Sequence, residues 1–224
     1  MRLYSSKLSP WGQRVWMQIR LKDLPIERLG APGGTARSPE YKAINPLGKV
    51  PALIDGELLV PESEVICEYL EDKFPTPSLR GAPGEDAARV RLLSRLSDLY
   101  VLPPLTGLLL HKAEQPVEEG AALVTKAQEA LDQLDRFLGP GPFANRDSAT
   151  LADCALVPVG FLAVNVLPVF QDAAPFANRA KLKLWWEHIQ GEPVAAEILG
   201  ELREGYRGFR ERVGWPQGAL QTKT

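Results

Sequence analysis

Asn45-Pro46-Leu47-Gly48-Lys49-Val50-Pro51-Ala52-Leu53, followed by Pro61-Glu62-Ser63 and an apolar-periodic helix, is the stretch from which the fold can be read. Val50-Pro51 opens a strand pattern (Ala52, Leu53, Ile54) that turns at Asp55-Gly56 and returns as Leu58, Leu59 and Val60, the signal of a tight β-hairpin. A proline leading a strand cannot donate to a ladder, but Val50 keeps both its N–H and its C=O. An extended, peptide-like ligand can therefore pair there in antiparallel fashion. The returning strand delivers Glu62 and Ser63 to a helix start. A hydroxyl and free backbone N–H groups at the positive end of a helix dipole suit a carboxylate.

Working outward, the first 75 residues alternate short strand-like pieces (2–4, 26–29 and the hairpin) with helical ones (13–21, 64–74), which makes a small α/β unit. Pro75-Thr76-Pro77-Ser78 and Gly81-Ala82-Pro83-Gly84 then break the pattern twice and mark a linker. Beyond residue 85 every strong signal is helical. Val90, Leu93, Leu96, Leu99 and Tyr100 recur at three- and four-residue spacing, as do Leu123, Ala127, Leu131, Leu134 and Leu138, before Gly139-Pro140-Gly141-Pro142 stops the run. Trp185, Trp186 and Ile189, and then Val194, Ile198 and Leu202, supply further helices, and residues 216–224 read as a polar tail.

The 224 residues are 45% hydrophobic, enough to bury a sizeable core. Twenty-six basic against 28 acidic side chains leave a net charge of −2, so no basic footprint for nucleic acid or polybasic patch for a membrane is expected. Met1-Arg2 leads straight into a strand pattern, so no signal peptide is expected, and no apolar run is expected to be long enough to span a bilayer. Cys67 and Cys154 sit in apolar helical patterns without metal-ligand spacing, which predicts a reduced, cytoplasmic protein without a metal.

The hairpin region together with Ser9-Pro10-Trp11-Gly12-Gln13-Arg14-Val15 resembles the cytosolic glutathione transferases over the whole chain. The resemblance is to the serine-type members, tau- and zeta-like, and Ser-Pro-aromatic-x-x-Arg-Val resembles the tau class in particular; the chain is omega-like as well, although omega enzymes carry cysteine where Ser9 stands. It implies an α+β fold: a thioredoxin-like domain (β-α-β-α-β-β-α) over 1–78, a linker over 79–84 and an all-helical domain over 85–224. It also implies a cis Pro51, and a capping box at Thr150-Leu151-Ala152-Asp153 opening a central apolar helix.

For the site, the resemblance implies glutathione as co-substrate. Lys49 would meet its glycine carboxylate, Val50 and Pro51 its backbone, Glu62 and Ser63 its γ-glutamyl end, and Ser9 its sulfur. A free thiol has a pKa of about 8.5. A hydroxyl donating to the sulfur beside helix-terminal N–H groups favours the thiolate, although Ser9 also reads simply as an N-cap. Ser5 and Ser6 read as loop polarity, and Arg14 as a surface or structural charge outside the site. Trp11, Tyr100 and Leu105 are the candidates for an apolar electrophile pocket. Asp98 and His111 stand near that pocket, with His111 and His188 read as structural or exposed. A homodimer is implied, with Arg89, Arg91 and Arg95 either interface charges or a solvated face. Three alternatives stand beside a detoxifying transferase. One is a maleylacetoacetate isomerase, whose Ser-Ser-Cys run is Ser9-Pro10-Trp11 here; another is a β-etherase, on the helix around residues 65–71; the third is a non-catalytic scaffold.

Overall fold

The computed structural model describes residues 1–111, 116–171 and 174–213; the polar tail expected over 216–224 lies outside them. The chain begins β1 (Arg2–Tyr4), α1 (Pro10–Leu21), β2 (Glu27–Leu29), α2 (Pro39–Lys42), β3 (Ala52–Asp55), β4 (Leu58–Pro61) and α3 (Ser63–Lys73). Its sheet has the order β2-β1-β3-β4, with β1 parallel to β2 and antiparallel to β3. Successive strand residues face opposite sides. Leu3, Leu53 and Val60 join the core beneath α1 and α3, while Tyr4, Ala52 and Leu59 pack with Tyr41 of α2 on the other face. The hairpin forms as expected, one residue later: Asp55 still pairs with Leu58, and Gly56-Glu57 make the turn, with Gly56 at φ +61°.

The helical half comprises α4 (Glu85–Leu96), α5 (Leu102–Leu109), α6 (Val117–Phe137), α7 (Leu151–Phe170), α8 (Ala180–Ile189) and α9 (Pro193–Val213), with a π-helical turn over Ser97–Val101 between α4 and α5. Central helix α7 packs against α1, α4, α5 and α9. By length and composition it could cross a bilayer, against the expectation that no such run exists, but most of it is buried inside the fold. An apolar helix surrounded on all sides is what a central core position requires. Cys67 and Cys154 are buried and free, and burial pushes both thiols well above the usual range.

The segment leaving α3 is fastened at several points. Lys22 Nζ and Glu71 Oε1, both wholly buried, pair at 2.9 Å. Lys22 also donates to the Pro77 carbonyl, and the Leu79 N–H donates to Glu71 Oε2 at 3.0 Å. Leu151 N–H, at the start of α7, donates to the Leu79 carbonyl at 2.9 Å. Leu79 itself is part of the core.

Candidate functional site

Strand register decides which loops meet. Tyr4 at the end of β1 pairs with Ala52 at the start of β3, and Ala52 pairs with Pro61 at the end of β4. The loop after β1, the Lys49-Val50-Pro51 segment and the Glu62-Ser63 turn therefore all emerge at one end of the sheet.

Ser9 is the N-cap of α1, and its half-buried Oγ accepts from the Gly12 N–H at 3.1 Å. An oxygen that accepts this bond still has its own proton to donate. The two readings of Ser9 are thus compatible. Gly12 is required by packing: a Cβ there would lie 2.2 Å from Ser5 Oγ. Ser5, expected to be ordinary loop polarity, is buried beneath the start of α1.

Tyr41 Oη and Asn45 Nδ2 donate to the Lys49 carbonyl at 2.9 and 2.8 Å, which fixes the backbone entering the cis Val50–Pro51 peptide. The Lys49 side chain is exposed, Pro51 is buried and Val50 lies two residues outside the paired register. Its peptide groups take no part in the ladder. Glu62 adopts φ +67°, a left-handed conformation that costs a non-glycine residue about 1–3 kcal/mol and that clusters at functional sites. That turn directs the exposed Glu62 side chain outward while starting α3 at Ser63, which is buried.

Of the two readings of Arg14, a surface charge or a structural one, the structure has the second: it is buried and reaches Ser63. Its fully buried guanidinium forms two bonds to Asp98, from Nη1 to Oδ2 at 2.9 Å and from Nη2 to Oδ1 at 2.6 Å. Nη1 also reaches Glu64 Oε2 at 3.0 Å and Ser63 Oγ at 3.4 Å. Burial works against the Arg14 charge, but Asp98 and Glu64 outweigh it and hold the guanidinium above its usual range. Burial, aided by Asp98, pushes Glu64 up against the pull of Arg14. An arginine inside an apolar helix face is the signal that was available, because a buried guanidinium demands carboxylate partners.

The proposed pocket residues separate. Trp11 is half-buried beside the loop, but Leu105 is wholly buried in the core and cannot meet a ligand without opening it. Tyr100 is exposed and lines a groove of about 260 Å³ with Leu99, Pro103, Pro104 and residues of α6, which none of the loops named above enters. His111 faces Phe170 and His188 faces Phe143, both edge-on. Arg89, Arg91 and Arg95 make ion pairs within the chain, to Glu85, Glu68 and Asp98.

A thioredoxin-like sheet whose loops gather a serine hydroxyl, an extended segment ahead of β3 and a helix start, followed by a helical half, defines a class. Residues 3–78 match the family described as glutathione S-transferase, N-terminal domain. The chain is 34% identical to the maleylacetoacetate isomerase of Pseudomonas aeruginosa, over 70% of this chain and 79% of that one. It is 28% identical to glutathione S-transferase 3 of Zea mays, over 90% and 94%. Poplar glutathione transferase F1 superposes with a TM-score of 0.77 at 25% identity, covering 91% of this chain and 98% of its own. The chain belongs to the cytosolic glutathione transferase family and is a glutathione S-transferase.

Proposed function

We propose that this enzyme binds glutathione along Lys49, Val50, Pro51, Glu62 and Ser63 and stabilises its thiolate with Ser9 for attack on a hydrophobic electrophile. The shared end of the sheet, where register brings the three segments together, is the observation that carries this reading. The Val50 peptide pairs with the cysteinyl backbone, and the Ser63 hydroxyl with the N-terminal amides of α3 donates to the γ-glutamyl carboxylate. Glu62 faces the ligand's ammonium group and Lys49 its glycine carboxylate. Ser9 Oγ–H donates to the sulfur, so the thiol proton is lost at lower pH. The thiolate then forms the bond to the electrophile's carbon as the leaving group departs with its electron pair. Proximity and a prearranged donor supply the rate, and the step uses no enzyme-bound intermediate.

Residues 1–78 form the glutathione-binding domain in this reading, and residues 85–224 complete the electrophile side. Half-buried Leu8, Trp11 and Phe209, rather than exposed Tyr100 and wholly buried Leu105, supply its apolar side chains. Exposed Val65 on α3 and Leu92 on α4 support a homodimer. Two buried free thiols suit a reducing, cytoplasmic setting. An isomerase is the second reading, favoured by the 34% identity reported above, while Trp11 in place of the isomerase cysteine opposes it. Turnover of an aryl halide against that of a cis-enone diacid distinguishes them.

Two substitutions test the site. Ser63→Ala should remove a charge-assisted bond worth about 1.5–3 kcal/mol and weaken glutathione about ten- to a hundredfold by calorimetry; unchanged affinity would leave Ser63 a helix start only. Ser9→Ala should keep glutathione bound but raise the pKa of its thiol, read by thiolate absorbance against pH, and lower turnover at neutral pH. Ser9→Cys should instead attack oxidised glutathione, forming a protein–glutathione disulfide and releasing one glutathione thiolate, which mass spectrometry detects. A thiol titration left in place by Ser9→Ala would show that another donor activates the sulfur.

A further inference from the structure

Helix α9 touches the loop that carries Ser9, and its contacts share one face. Glu197, Glu201 and Glu204 recur at helical spacing and meet Arg20, Arg28 with Gln13, and Lys7, respectively. The outer two pairs are solvent-exposed, where ion pairs contribute little. The middle one differs. Gln13 is wholly buried, and its Nε2 donates both to the Lys7 carbonyl at 2.8 Å and to Glu201 Oε2 at 2.9 Å. Its Oε1 has no partner among the described residues, so the amide is committed to these two acceptors. Rotating the amide would set its oxygen against the Glu201 carboxylate.

Glu201 is held in turn by Arg28, whose guanidinium lies 5.0 Å from the centre of the Trp16 ring. Burial pushes the Glu201 carboxyl up, but Gln13 and Arg28 more than offset this and keep it ionised below the usual range. One turn along α9, Gly205 lies flat against the same loop: a Cβ there would fall 2.9 Å from the Leu8 nitrogen and 3.1 Å from the Lys7 carbonyl carbon. A methyl group cannot enter without moving the backbone that leads into Ser9.

We infer that Glu201 is a positioning residue for Ser9, acting from α9 through the Gln13 amide and the Lys7 carbonyl, with Gly205 setting how closely the helix approaches the loop. This rests on the reading of Ser9 as thiolate stabiliser. The hydroxyl must sit at hydrogen-bond distance from a sulfur that other residues have already placed, and a displacement of about 1 Å is enough to lose much of its effect. Glu201 touches neither glutathione nor the electrophile. Its contribution is the place of the loop.

The test uses the intact enzyme, with glutathione and an aryl halide, and follows the pH profile of kcat/KM together with the KM for glutathione. Glu201→Ala should lower kcat about tenfold or more and move the profile's midpoint to higher pH, with the glutathione KM within about twofold of wild type because Lys49, Val50 and Ser63 still hold the peptide. Glu201→Gln, whose amide oxygen still accepts from Gln13, should keep the wild-type midpoint. Gly205→Ala should reproduce the shift by a separate route should Glu201→Ala fold poorly. A purely structural role for Glu201 would reduce active enzyme without moving the midpoint, and that result overturns the inference. Ser9→Ala measured in parallel separates the two levels. A midpoint moved by Ser9→Ala but by neither α9 variant overturns the inference alone, whereas one unmoved in all three overturns the thiolate reading with it.

Discussion

Replacing Asp153 with alanine should destabilise the fold by about 3–5 kcal/mol, well beyond the loss of a helix cap. As a cap alone, Asp153 would contribute about 0.5–2 kcal/mol. The structure gives it more to do. Thr150 and Asp153 form the capping box at the start of α7, with the Thr150 N–H and Oγ1–H both donating to Oδ2 at 2.9 Å. Oδ1 accepts from the Ala144 N–H at 2.8 Å and from Trp185 Nε1 at 3.0 Å. Burial pushes this carboxyl up, while all four donors pull it back. Truncation leaves two backbone N–H groups and an indole N–H without an acceptor in the interior. Denaturant melts measure the loss, and glutathione affinity in the folded fraction should stay where it was. A cost under about 1 kcal/mol would mean that water replaces the carboxylate fully.

Arg14→Met should be comparably damaging, at about 3–5 kcal/mol, because it strands Asp98 and Glu64 where water reaches them poorly. It should also weaken glutathione, since Ser63 loses the donor at its Oγ. The two effects have different remedies. Adding Asp98→Asn to Arg14→Met should recover part of the stability through their coupling, without restoring glutathione affinity. Equal, additive losses from the two single substitutions would show that the pair carries no interaction energy.

The thioredoxin-like half was legible because its signals are local. Alternation in the hairpin, Pro51 ahead of a strand and Ser9-Pro10 at a helix start each depend on a few adjacent residues. The resemblance supplied the order of elements and the cis Val50–Pro51 bond, both present in the structure. Arg14 was missed because its partners lie 50 and 84 residues away, on α3 and the π turn. No periodicity encodes such a meeting. Leu105 was misread for a related reason: helical spacing marks an apolar face but not whether that face meets a cavity or another helix, and here α6 and α7 cover it. The left-handed Glu62 carried no signal either, since glutamate gives no hint of the conformation that glycine or asparagine would announce.

The Arg14–Asp98 contact bears on how such a chain can be recombined. Asp98 belongs to the helical half, yet it neutralises the arginine that supports Ser63; Gln13 and Glu201, Leu79 and Leu151 cross the same divide. A chimera that joins residues 1–79 of this enzyme to the helices of a distant relative would inherit one member of each pair. It would begin with a buried guanidinium left to Glu64 and Ser63 and a buried Gln13 amide that has lost one of its two acceptors. Exchange between family members is therefore constrained at the level of partners, and the positions that must travel together are far apart along the gene.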